Sequence, residues 1–168
     1  MKRGKYLGSI VLGLNDALVE LTGALAGLTL ALQNSKIIAI SGLITGFVAS
    51  LSMAASEYLS TKAEQNNIKK ITLKKSPKIS AIYTGVAYLT TVLLLIFPYI
   101  LLSNIYYSLI WTLINAIIII FAFTYYASIE KKESFSHRFF EMLIISMGIA
   151  LISFIFGYGI RLIFGVEV

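Results

Sequence analysis

Four residues in this sequence could do chemistry where chemistry is least expected: Asp16, Glu20, Met53 and Glu57, all set in long apolar runs. On insertion scales an acid at the centre of a membrane helix costs about 2.5–3.5 kcal/mol, so such acids face a bundle interior and serve a function. Asp16 and Glu20 are four residues apart, which on a helix puts both on one face, with Asn15 adjacent. Met53 and Glu57 share the same spacing, offering a thioether and a carboxylate together. Carboxylate oxygens suit hard cations and a thioether suits softer or borderline ones. The chain has no Cys, and its single His, His137, lies outside the apolar runs. Thiolate and imidazole sites are thereby excluded. Carboxylates with one Met point to Fe²⁺ or Mn²⁺ bound transiently in passage, with no resident cofactor.

The elements that must position these residues follow from composition. Of 168 residues 58% are hydrophobic and 13% charged, with a mean hydropathy of +0.85. That excludes a disordered chain and disfavours a water-soluble domain. Five apolar segments run Leu7–Leu32, Ile37–Ser60, Ile79–Leu102, Tyr107–Ile129 and Phe139–Phe164. At 1.5 Å per residue each can cross a hydrocarbon core of about 30 Å. The runs lack two-residue alternation and are too long for barrel strands. The fold class expected is therefore all-α: one domain, residues 1–168, forming an integral membrane bundle of five transmembrane helices.

Charge orients the bundle. Lys2, Arg3 and Lys5 precede the first segment. Lys62, Lys69, Lys70, Lys74, Lys75 and Lys78 fill the second connector, and Lys131, Lys132 and Arg138 the fourth. Only Lys36 and Arg161 remain for the other side, so the positive-inside rule puts the N-terminus in the cytosol and the C-terminus outside. The net charge of +6 thus reads as orientation and contact with anionic lipid, with no nucleic-acid partner expected. Asp16 and Glu20 interrupt the first segment in a way a signal peptide would not tolerate, so it is read as a retained span. With no organelle address, a prokaryotic plasma membrane is the expected location.

Depth brings the four residues together. Asp16 lies about 13–14 Å in from the cytosol, Met53 about 10–11 Å and Glu57 about 5 Å, with Glu20 further along: a ladder of ligands. Gly23 and Gly27 in the first segment, and Gly42, Gly46, Ser50 and Ala54 in the second, allow close helix approach. Five helices enclose a path poorly, which favours a symmetric homodimer with the first segment near its axis. Two copies would gather two Asp16 and two Glu20 side chains, whose repulsion a passing cation or proton relieves.

The remaining polar residues read more plainly. His137 is expected in a solvated connector, Arg161 snorkelling to the outer interface, Asn104 in a turn and Asn115 in packing. Tyr99, Tyr106 and Tyr107 fit an interfacial aromatic belt. There is no Gly-rich phosphate loop, and no base within reach of a Ser nucleophile, so neither an ATP-driven pump nor an enzyme is indicated.

Two runs carry a family resemblance. Gly13-Leu14-Asn15-Asp16-Ala17-Leu18-Val19-Glu20 resembles the first-helix signature of the vacuolar iron transporter family, usually Gly-x-Asn-Asp-Gly-Leu-Val. Ser52-Met53-Ala54-Ala55-Ser56-Glu57-Tyr58 resembles its second-helix signature, Ser-Met-Ala-x-Gly-Glu-Tyr. The resemblance implies a dimeric carrier moving Fe²⁺ or Mn²⁺ out of the cytosol against protons, with Asp16, Met53 and Glu57 on the metal path. Ala17 and Ser56 replace family glycines, and Glu20 stands where a small polar residue is more usual. Many members carry a Glu-rich cytosolic domain between spans 2 and 3. Here Glu64 is the connector's only acid, as in the short nodulin-like branch. Two other readings remain open on the residues alone: a scaffold whose acids lock the bundle, and a divalent-cation channel.

Overall fold

The computed structural model describes residues 5–67 and 75–164, which form five helices. They are α1 Leu7–Leu32, α2 Ser35–Asn67, α3 Pro77–Leu101, α4 Ile105–Lys131 and α5 Phe135–Phe164. There is no strand among the described residues. Each helix carries a stretch long and apolar enough to cross a membrane. The protein is an all-α membrane bundle, as its hydropathy requires.

Local chemistry sets the helix limits. After α1 the chain turns at Gln33, which adopts the left-handed conformation (φ 49°). Asn34 then caps α2, its Oδ1 accepting from the Lys36 and Ile37 amides. Pro77 opens α3, where its missing amide leaves no donor unpaired. Asn104 caps α4 by accepting from the Tyr106 and Tyr107 amides. Two limits differ from the hydropathy reading. α2 continues two turns past Ser60, because Thr61–Asn67 are polar but include good helix formers such as Lys62, Ala63, Glu64 and Gln65. α5 begins before Phe139, so His137 sits in its first turn, exposed and 3.8 Å from the Glu141 carboxylate, not in a connector. Lys2, Arg3, Lys69, Lys70 and Lys74 lie outside the described residues.

α1 is the centre of the bundle: 50% of its apolar window is buried, against 11% for α5. Leu18, Leu21 and Leu25 of α1 meet Tyr88, Val92, Leu95 and Ile96 of α3 and Ile120 of α4 in one core. Small residues decide which helices touch. A Cβ on Gly13 would overlap the Thr84 carbonyl, and Thr84 donates to the Ser9 carbonyl at 2.9 Å, fixing α1 on α3. Gly23 and Gly27 lie against Ile149, Ser153 and Gly157, so the glycine pair of α1 is used on α5, within the chain. Gly42 and Gly46 of α2 receive Ile96 and Val92 of α3, while Gly85 of α3 faces Ser50 and Ala54. The tightest pairs are α1 with α5 and α2 with α3.

Hydroxyls tie the two ends. At the end away from the lysines, Tyr99 and Thr29 share a hydrogen bond of 2.6 Å, and Ser35 donates to the Tyr99 and Leu102 carbonyls. Tyr99 is fully buried. It is therefore no part of an aromatic belt: a hydroxyl partner on α1 draws it into the core. Tyr106 and Tyr107 are exposed, as a belt requires. Asn115 donates to the Leu94 carbonyl, a packing contact between α4 and α3.

Candidate functional site

The periodicity of α1 puts Asp16 and Glu20 one turn apart on the side of the helix that borders α2. α2 runs antiparallel beside it and presents Ile44, Thr45, Val48, Ala49, Ser52 and Met53. Together they wall a groove of about 460 Å³ that opens on the flank of the bundle. Asp16 and Met53 are half-buried and Glu20 is exposed. The groove thus unites three of the four residues singled out by spacing. Two carboxylates and a thioether face a mostly aliphatic wall, a donor set for a divalent cation of intermediate softness.

Asp16 also lines a second groove, of about 360 Å³, with Gly8, Val11, Leu12, Asn15 and Val19. This groove runs along α1 toward the lysine-rich end. Asn15 carries a buried Oδ1 with no hydrogen-bond partner among the described residues. Asp16 is the wall shared by both grooves.

Glu57 is placed apart from the groove. Its Oε1 accepts from Ser9 of α1 at 2.6 Å and from Thr61, one turn on along α2, at 3.4 Å. Ser9 and Thr61 are themselves buried. This junction ties the start of α1 to the far part of α2. Glu20 has a comparable partner, Tyr88 of α3, whose hydroxyl donates to its Oε2 at 2.7 Å.

Tyr88 and Ser9 are site residues that spacing alone did not reveal. A tyrosine deep in an apolar span is itself a signal, because a buried phenol needs a partner for its hydroxyl. Its partner cannot be named without the register of α1 on α3. Among the described residues, no three His, Cys, Asp or Glu side chains lie close enough to hold a metal ion.

Fold and site together define a helical membrane protein with an acid- and thioether-lined groove at mid-span. Residues 7–75, which hold α1, α2 and both signatures, match the model of the VIT family, consistent with a vacuolar iron transporter family member. No curated protein matches the chain.

Proposed function

We propose that the protein is a secondary carrier that moves divalent iron or manganese out of the cytosol in exchange for protons, acting as a homodimer. The observation that carries this reading is the groove itself, in which Asp16, Glu20 and Met53 meet on an open flank of the bundle. A carboxylate exposed at mid-depth would face lipid, which is costly. A second copy packed over the groove would cover it and double the donor set. In this scheme Glu57 captures the ion once it lets go of Ser9, Asp16 and Met53 bind it, and Glu20 passes it on or carries the returning proton. A change of conformation then exposes the site to the opposite side.

The hydroxyl partners favour one other reading. Ser9 with Glu57, and Tyr88 with Glu20, are the links a structural scaffold would use to lock its helices. Flux separates the two. Purified protein in liposomes should move Fe²⁺ and Mn²⁺ under an imposed proton gradient, and Asp16→Asn should abolish that flux while the variant stays folded. A wild-type chain that moves neither ion would favour the scaffold. Ion movement without opposing proton movement would favour a channel.

A further inference from the structure

The groove that leads from the lysine-rich end to Asp16 has a positive charge standing at its rim. Gly8 is the residue of α1 where that groove begins, and it is exposed. The Lys75 ammonium lies 3.6 Å from where a Cβ on Gly8 would be. The backbone at Lys75 is held by its surroundings on three elements. Its carbonyl accepts from the Gln65 side chain near the end of α2. The next amide, of Ser76, donates to the Tyr6 hydroxyl at 3.2 Å, just before α1. Tyr6 in turn stacks on Tyr83 of α3, with ring centroids 5.3 Å apart. The Lys5 ammonium sits 5.5 Å over the Tyr6 ring, adding a second positive charge at the same end. By helix rise, Gly8 and Asp16 are about 12 Å apart along the axis.

We propose that Lys75 is a specificity-determining residue, an electrostatic barrier at the mouth of the α1 groove that sets the concentration at which divalent cations reach Asp16. The proposal rests on the carrier reading and adds a residue from outside both signatures. A carrier that drains its metal without limit would starve the compartment it serves. An ammonium at the mouth raises the concentration needed for half-maximal flux and leaves the binding groove untouched. A unit charge facing a divalent ion across about 8 Å of water changes local occupancy about fivefold, and salt screens that effect.

The test has two arms. In liposomes with Mn²⁺ supplied at the lysine-rich end, Lys75→Gln should lower KM about fivefold at low ionic strength with kcat unchanged. The difference should vanish at about 1 M salt, where the screening length is about 3 Å. Lys78→Gln, which removes the same charge from the exposed first turn of α3, should lower KM less. Equal KM for Lys75→Gln and the wild type at low salt would overturn the proposal.

The second arm needs no transport. The chain has no cysteine, so Gly8→Cys gives a single thiol at the mouth. In nanodiscs it should react faster with an anionic methanethiosulfonate than with a cationic one, and adding Lys75→Gln should collapse that preference several-fold. A preference that ignores Lys75 would overturn the proposal whatever the flux. A Lys75-dependent preference in the Gly8→Cys variant, with a wild-type protein that moves no Mn²⁺, would overturn the carrier reading instead, and the barrier with it.

Discussion

Tyr88 is the residue whose role is easiest to isolate. Its hydroxyl donates to the one exposed carboxylate of the groove, and its ring is fully buried between α1 and α3. A hydrogen bond to a charged group contributes about 1.5–3 kcal/mol. Tyr88→Phe keeps the ring and removes that bond, so the variant should lose roughly that much stability and release Glu20 toward the groove. Mn²⁺ binding to the nanodisc-embedded variant should then tighten a few-fold, as read by the loss of the free-ion electron paramagnetic resonance signal. Unchanged affinity would mean that Glu20 takes no part in holding the ion. Individual residues also mark the limit of what a sequence can reveal. Asp16, Glu20, Met53 and Glu57 were legible because acids and a thioether at four-residue spacing stand out against aliphatic runs. Tyr88 and Ser9 were not, because their meaning lies in partners 68 and 48 positions away. Tyr99 misled for the same reason: near a span's end it resembles a belt residue, until Thr29 supplies a partner.

At the scale of elements, glycine contacts do the discriminating work. A Cβ on Gly157 would run into the Gly27 backbone, whereas nothing lies within 4 Å of the corresponding point on Gly159. Gly157→Val should therefore destabilise the α1–α5 pair by at least about 2 kcal/mol, because the clash is with backbone and cannot be relieved by a rotamer change. Gly159→Val should be neutral. Thermal unfolding of the two variants in detergent checks both halves of this prediction, and equal midpoints would contradict the packing described. The five helices were legible from hydropathy because each apolar window exceeds the bilayer's requirement. Their limits were less so at the lysine-rich end. The polar turns of α2 beyond Ser60 and the first turn of α5 keep helical geometry after leaving the apolar zone, and hydropathy does not register a polar helix.

For the whole molecule, the open flank is the feature that demands an explanation. Leu12, Asp16 and Glu20 lie along one side of α1 that no other helix of the chain covers completely. If two copies meet there, Leu12→Cys, the sole thiol in the variant, should give a covalent dimer on mild oxidation in membranes. A thiol at Ile163, on the exposed face of α5, should not. A Leu12→Cys variant that stays monomeric while the Ile163→Cys variant cross-links would move the dimer contact to α5.

The groove is built across a seam. Asp16 and Glu20 belong to the tight α1–α5 pair, while Thr45, Ser52 and Met53 belong to the tight α2–α3 pair. Two slabs that each contribute one jaw have the geometry of a vernier. Sliding one past the other by a single residue's rise, about 1.5 Å, is more than half the length of a metal–oxygen bond. Such a slip would have to break the Thr84–Ser9, Ser9–Glu57 and Tyr88–Glu20 hydrogen bonds, which span the seam as its detents. The Thr29–Tyr99 hydroxyl contact joins the two slabs at the far end and is a fourth such detent.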